Sequence, residues 1–156
     1  MSGAVGDSNG RIILGVDDQA ENLMFLQVLL ESAGYMFIGA SSGIECLSLA
    51  TRTSPRLILI DVQMPGMDGF ETCRRIRAEW TLRRTPVAFL TAKKSPEDVR
   101  AGILAGGNDF IVKPVDPVTL LARAEHWTKR TLAAEPAAPH QPEPGLAPKK
   151  RPDALI

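Results

Sequence analysis

The sequence has few residues of the kinds that form cross-links. Only two of its 156 residues are cysteines, Cys46 and Cys73, and both fall inside predicted amphipathic helices. Their spacing matches neither a CxxC motif nor a metal site. We therefore expect two buried free thiols in a reducing compartment, and no disulfide.

The chain also lacks an excess of charge of either sign and a long hydrophobic run. Eighteen basic side chains balance 18 acidic ones, so no general attraction to nucleic acid or anionic lipid is expected. No apolar run approaches the roughly 18 residues that span a bilayer, and residues 1–10 lack the order of a signal peptide. These absences predict a soluble cytoplasmic protein without direct contacts to membrane or nucleic acid.

What the sequence does contain is a regular alternation of short apolar runs and amphipathic segments. Five runs predict strands, over residues 12–16, 36–40, 57–60, 87–90 and 110–112. Helices are predicted from the apolar spacing between Leu23 and Ala33, and over 43–53, 68–79, 95–104 and 117 to about 132. Strict alternation predicts an α/β fold with a parallel sheet covered on both faces.

The composition changes abruptly after about residue 133. Prolines occupy positions 136, 139, 142, 144, 148 and 152, with almost nothing to bury between them. We expect a flexible N-terminus over 1–10, one domain over 11–132 and a disordered or extended tail over 133–156. A tail of about 24 residues leaves no room for an effector domain, so the domain is expected to act alone.

Polar side chains follow the predicted strands at one edge of the sheet. The first strand is followed by Asp17 and Asp18, the third by Asp61, the fourth by Thr91 and the fifth by Lys113. The carboxyl ends of parallel strands border the crevice where open α/β sheets bind ligands. We therefore expect three carboxylates, a hydroxyl and an ammonium to share one site.

This group of side chains favours magnesium and a phosphoryl group as ligands. Three carboxylates held together repel one another unless a cation lies between them. Oxygen ligands without histidine or cysteine are the donor set of Mg²⁺, which keeps several waters and accepts phosphoryl oxygens. Thr91 and Lys113 then remain to hold the other oxygens of an incoming phosphoryl group.

The strand-end residues belong to longer motifs. These are Val16-Asp17-Asp18, Asp61 followed by MPGMDG over residues 64–69, Leu90-Thr91-Ala92, and segment 106–114 ending in Lys113-Pro114. Over about residues 11–130 the chain resembles the receiver domain of two-component response regulators. The resemblance implies a flavodoxin-like, doubly wound sheet with strand order 2-1-3-4-5.

The resemblance also implies a phosphoacceptor chemistry. Asp61 attacks a phosphohistidine and becomes an aspartyl phosphate. Asp18, Asp61 and the backbone carbonyl of Gln63 ligate Mg²⁺, and Asp17 acts mainly through bound water. Such a domain is a signalling module that catalyses only its own Mg²⁺-dependent phosphorylation and dephosphorylation.

Three further residues acquire roles from the same resemblance. Thr91 hydrogen-bonds the phosphoryl group and Lys113 pairs with it, and the Lys113-Pro114 bond is cis. Phe110 stands at the family's aromatic switch position and turns inward when Thr91 moves toward the phosphate. Gly102 and Gly107, however, predict a loosely packed surface between helix four and strand five.

Helix one is predicted to carry an exposed apolar pair. Five of its apolar residues share one side of a helical wheel: Leu23, Leu26, Leu29, Leu30 and Ala33. Met24 and Val28 fall on the opposite side, so we expect them to be exposed. The resemblance makes this helix the docking surface for a histidine kinase or histidine phosphotransfer protein, and the helix-four, strand-five and helix-five surface the contact for a downstream protein.

Two other functions remain as alternatives. An aspartate-nucleophile phosphohydrolase also uses an aspartate and Mg²⁺ on an α/β sheet, but requires a second carboxylate two residues after the nucleophile, where Gln63 stands. A constitutive protein-binding receiver would keep the same pocket for structural reasons. Turnover of a small phosphomonoester would indicate the phosphohydrolase, and absence of Mg²⁺-dependent labelling by acetyl phosphate would favour the constitutive module.

Overall fold

The fold is an open parallel sheet between two layers of helices. The computed structural model describes residues 11–92 and 94–134, without the side chains of 131–134. Five strands form the sheet: β1 (Ile12–Val16), β2 (Met36–Ala40), β3 (Leu57–Asp61), β4 (Val87–Thr91) and β5 (Asp109–Val112). All neighbours pair in parallel in the order β2-β1-β3-β4-β5, which confirms the flavodoxin-like prediction.

Two of the predicted strand ends were one residue short. Asp61 and Thr91 are the last residues of β3 and β4 rather than the first residues beyond them, because Asp61 pairs with Leu90, and Thr91 with Val112, in the sheet register. β5 begins at Asp109, one residue before the prediction. Each strand extends one residue past its apolar run because that residue still pairs with the neighbouring strand.

The helices follow each strand in turn. They are α1 (Ala20–Ser32), α2 (Gly43–Thr53), α3 (Gly69–Ala78), α4 (Pro96–Ala105) and α5 (Pro117–Ala134), with an unpredicted 3₁₀ turn over Trp80–Leu82. Side chains of Ser42, Asp68 and Ser95 cap the first turns of α2, α3 and α4 by accepting hydrogen bonds from backbone amides. None of the helices in the described part of the chain has the length and apolar character of a membrane span.

The predicted domain boundaries fall partly outside this description. α5 continues to Ala134, two residues past the boundary predicted at 132. Residues 1–10 and 135–156 lie outside the described part. The flexible N-terminus and the extended tail therefore stay predictions.

The core is divided by the sheet into two clusters, and β3 contributes to both. Its apolar residues are fully buried, with Ile58 and Ile60 in one cluster and Leu57 and Leu59 in the other. This is the expected pattern for a central parallel strand covered on both faces. The first cluster also contains Cys46 and Cys73, which are buried and free as predicted.

Two glycines let aromatic rings approach the backbone between α4 and β5. A Cβ on Gly102 would lie 2.3 Å from Cζ of Phe110, and one on Gly107 would lie 2.2 Å from Cε2 of Phe89. The rings of Phe89 and Phe110 are themselves in contact, with centroids 5.3 Å apart. The prediction of a loosely packed surface was wrong, because the space left by the missing side chains is filled by the aromatic rings.

This packing predicts an interaction between positions 102 and 110. Gly102→Ala should lower the free energy of unfolding by roughly 1–3 kcal/mol, since the new methyl group overpacks the site despite the better helix propensity of alanine. Most of that cost should vanish in a Phe110→Ala background. Urea denaturation of the four proteins gives the coupling energy. An equal cost in both backgrounds would show that the ring does not confine Gly102.

Candidate functional site

The carboxyl ends of the strands bring the predicted polar residues to one edge of the sheet. β3 lies between β1 and β4, so Asp61 is at the centre of this edge. Sheet-like hydrogen bonds continue past the strands, from the amide of Asp17 to the carbonyl of Ala40 at 3.1 Å and from the amide of Lys113 to the carbonyl of Thr91 at 2.8 Å. The backbone therefore holds these positions rigidly before any ligand binds.

Three carboxylates form the acidic part of the site. One oxygen from each of Asp17, Asp18 and Asp61 lies within 4.8 Å of the other two. Asp17 is fully buried, Asp61 is 7% exposed, and Asp18 is exposed to solvent. The cluster is thus anchored in the protein on one side and accessible on the other.

Lys113 bridges two of these carboxylates. Its Nζ lies 3.0 Å from Oδ1 of Asp61 and 3.3 Å from Oδ2 of Asp17. The ammonium therefore connects residues that follow or end three different strands, β1, β3 and β5. The peptide bond between Lys113 and Pro114 is cis, which confirms the prediction from the sequence.

The ionisation equilibria of this cluster reflect burial and charge together. Burial raises the pKa of Asp61 above its ordinary value, Asp17 and Asp18 add to the rise, and Lys113 opposes it. Burial alone lowers the pKa of Lys113, but hydrogen bonds and charge interactions with Asp61 and Asp17 outweigh it, so the net change is upward. The Lys113 ammonium is therefore held charged within a site of excess negative charge.

The side chains border a cavity of about 190 Å³ that opens to solvent. Five of the predicted site residues line it: Asp18, Asp61, Gln63, Thr91 and Lys113. Thr91 is 5% exposed, whereas Gln63 is exposed. The structure brings these five predicted residues together around a space large enough for a small ligand.

The loop after Asp61 is shaped by close contact with α3. A Cβ on Gly69 would lie 2.5 Å from the carbonyl oxygen of Asp61 and 2.9 Å from Cα of Val62. The amide of Gly69 donates to the carbonyl of Val62 at 2.9 Å. Only glycine allows α3 to begin so close to the strand end, which explains the last position of the MPGMDG motif.

Sequence reasoning missed two residues that contact Asp17. The amide of Gln19 donates to Oδ1 of Asp17 at 2.9 Å, and Nδ2 of Asn22 donates to Oδ2 at 3.0 Å. Gln19 is the N-cap of α1 and Asn22 is in its first turn. Their position in the turn that follows a strand-ending aspartate is the signal that could have identified them.

The other two predicted regions lie outside this cavity. Phe110 is half-buried, with its ring against Phe89 and next to Gly102. Met24 and Val28 on α1 are 63% and 66% exposed, as the helical wheel predicted. The switch role of Thr91 and Phe110 stays a prediction.

The chain matches a known protein family and several known proteins. Residues 13–125 match the family model of the response regulator receiver domain. The chain is 39% identical over 123 residues to the response regulator PleD of Caulobacter vibrioides, covering 79% of this chain and 27% of that protein. It therefore spans about a quarter of that relative's length.

Solved structures match over most of their own length. The chemotaxis protein CheY4 of Vibrio cholerae aligns with a TM-score of 0.72 and 34% identity, covering 74% of this chain and 97% of that one. The receiver domain of sensor histidine kinase PA1611 from Pseudomonas aeruginosa PAO1 has a magnesium ion coordinated in its active site cleft. It aligns with a TM-score of 0.71 and 32% identity, covering 77% of this chain and 98% of that one. With this fold and acidic pocket, the chain belongs to the receiver domain family of two-component response regulators.

Proposed function

We propose that this receiver domain, over residues 11–132, accepts a phosphoryl group from a phosphohistidine onto Asp61. The observation that carries the proposal is the position of the Asp61 carboxylate, which borders the cavity and hydrogen-bonds to Lys113 at 3.0 Å. A rigid carboxylate beside an ammonium fits a nucleophile whose product is an anion. The family membership supports the same role.

The transfer requires one bond to form and one to break. Lys113 contacts Oδ1 of Asp61, so we assign Oδ2 as the attacking oxygen. It forms the new O–P bond while the N–P bond of the phosphohistidine breaks and its electron pair returns to the imidazole nitrogen. Positioning and charge stabilisation supply the catalysis, since the phosphoryl group itself is already activated by the donor.

The acidic cluster fits a magnesium ion. Its described donors are oxygen atoms only, and the three carboxylates converge within 4.8 Å. We propose that Asp18, Asp61 and the backbone carbonyl of Gln63 hold the ion, with Asp17 acting through bound water. When bound, Mg²⁺ supplies positive charge that offsets the carboxylates and the incoming phosphoryl oxygens.

Thr91 and Lys113 are proposed to hold the phosphoryl group after transfer. Both border the cavity that contains Asp61. Drawing Thr91 toward the phosphate would alter the end of β4, beside which Phe110 packs on Phe89. We assign Thr91 and Phe110 as the switch that changes the α4, β5 and α5 surface for a downstream protein.

The donor is proposed to be a histidine kinase or a histidine phosphotransfer protein that docks on α1. Met24 and Val28 are exposed there, and an apolar cavity of about 350 Å³ lies between α1 and the segment after β5. Phe25, Leu26, Leu90, Pro114 and Val115 line this cavity with Asp17, Asn22 and Lys113. An apolar face beside the acceptor suits a helical partner that presents a histidine. A cytoplasmic location is part of this proposal.

The first experiment tests the acceptor and its ligand separately. Acetyl phosphate with Mg²⁺ should label the wild-type chain and leave Asp61→Asn unlabelled at any Mg²⁺ concentration. Asp18→Asn should instead need about 10–100 times more Mg²⁺ for half-maximal labelling, because it removes a ligand but not the nucleophile. Labelled protein is measured by intact-mass spectrometry. Unlabelled wild-type protein would favour the constitutive binding module. Turnover of a small phosphomonoester would favour the phosphohydrolase.

The raised pKa of Asp61 predicts a stability cost at the site. Between an ordinary aspartate pKa of about 4 and the raised value, the native state binds more protons than the unfolded state, so stability falls as pH rises through this window. Asp61→Asn should therefore raise Tm by a few degrees at pH 7 without Mg²⁺, and the gain should disappear below about pH 4.

Differential scanning calorimetry in EDTA measures this effect. The control is Glu79→Gln, which neutralises an exposed carboxylate outside the cluster. An Asp61→Asn Tm at or below wild type at pH 7 would mean that the Lys113 contact outweighs burial and repulsion.

The docking proposal is tested on α1. Met24→Ser with Val28→Ser should slow phosphotransfer from the kinase that profiling against candidate kinases identifies, by about tenfold or more, since two apolar contacts of roughly 1 kcal/mol each are lost. Labelling by acetyl phosphate, which needs no docking, should stay at the wild-type rate. Ile44→Ser with Ile103→Ser, at positions 68% and 63% exposed on α2 and α4, is the matched control. Equal slowing of both reactions would indicate damage to the site, and unchanged phosphotransfer would remove this face from the interface.

A further inference from the structure

Asn22 is the neutral end of a chain of hydrogen bonds that runs through the acidic cluster. Its Nδ2 donates to Oδ2 of Asp17 at 3.0 Å, and the same oxygen accepts from Nζ of Lys113 at 3.3 Å. Lys113 in turn donates to Oδ1 of Asp61 at 3.0 Å. The order Asn22, Asp17, Lys113, Asp61 connects the first turn of α1 to the acceptor carboxylate.

Asp17 depends on these donors because it is buried in the protein. The residue is fully buried, and a buried polar group left without hydrogen-bond partners lowers the stability of the fold. Three donors are within reach: the Gln19 amide on Oδ1, and Asn22 and Lys113 on Oδ2. Without Asn22, Oδ2 would be satisfied by Lys113 alone, and the ammonium would shift toward Asp17 and away from Asp61.

An asparagine suits this position for an electrostatic reason. A lysine or arginine would also donate to Asp17, but its charge would oppose a cation in the acidic cluster, and an aspartate would add a fourth carboxylate. The amide orients Asp17 and leaves the charge of the cluster unchanged. Asn22 also lines both the polar cavity at Asp61 and the apolar cavity beside α1, as Lys113 does.

From these contacts we propose that Asn22 is a positioning residue for phosphorylation. It fixes the carboxylate of Asp17 and, through Oδ2 of Asp17, the balance of Lys113 between Asp17 and Asp61. The proposal rests on the proposed function of Asp61 as phosphoacceptor. It assigns Asn22 no contact with the phosphoryl group or with Mg²⁺.

The test replaces the amide in the full 156-residue chain. Asn22→Leu keeps a similar volume and removes the donor, and Asn22→Ala, a smaller replacement that also removes it, is measured in parallel in case the leucine variant does not fold. Mg²⁺ affinity is measured by NMR titration of ¹⁵N-labelled protein, and phosphorylation is measured as the rate of labelling with acetyl phosphate.

Loss of a partner that orients a metal-site carboxylate typically lowers metal affinity or activity 10–100-fold. We therefore expect a Mg²⁺ dissociation constant about tenfold higher and slower labelling. Gln27→Leu, which removes an exposed α1 amide bonded to Glu31, should change neither.

A double-mutant cycle separates positioning from a merely structural role. If Asn22 acts through Asp17, Asn22→Leu should change the labelling rate and the Mg²⁺ affinity less than about twofold in an Asp17→Asn background. A further tenfold loss in that background, or wild-type values for Asn22→Leu alone, would overturn the proposal. Failure of acetyl phosphate to label even the wild-type chain would refute the proposed function, while the Mg²⁺ titrations would still decide the role of Asn22.

Discussion

The structure depends on one constraint, the confinement of three carboxylates at the end of a buried sheet. Parallel pairing places Asp17 and Asp61 at adjacent strand ends, and neither can move away because the backbone hydrogen bonds continue past the strands. Lys113, which follows the third contributing strand, β5, offsets part of the repulsion by contacting both carboxylates. What remains is an excess of negative charge beside a cavity, which is the condition for binding a cation.

The rest of the fold keeps this edge of the sheet rigid and accessible. Two apolar clusters fix the sheet from both faces, and the residues of β3 from Leu57 to Ile60 are shared between them. Gly69 lets α3 begin against the strand end, so the helix supports the site without covering it. Loops on a rigid scaffold can then carry the chemistry while the core carries the stability.

Polar contacts fix the far end of the sheet and the last helix. The Arg77 guanidinium of α3 donates to the carbonyls of Thr85 and Gly106 and to the side chain of Asn108. Asp109 at the start of β5 accepts from Arg123 and Trp127 of α5. These contacts join α3, α4, β5 and α5, and they explain why the 106–108 loop is well packed although it begins with two glycines.

The sequence by itself determined the element order, the sheet class and the strand-end residues of the site, because apolar periodicity and parallel strand ends follow from local pattern and chain direction. It also determined the exposure of Met24 and Val28 from helical spacing. Only the tertiary structure decided that Asn22 completes the contacts of Asp17, that Lys113 bridges Asp17 and Asp61, and that Gly102 and Gly107 receive the rings of Phe110 and Phe89. Such contacts join side chains from different elements, and their distances depend on how helices pack on the sheet, which no local pattern encodes.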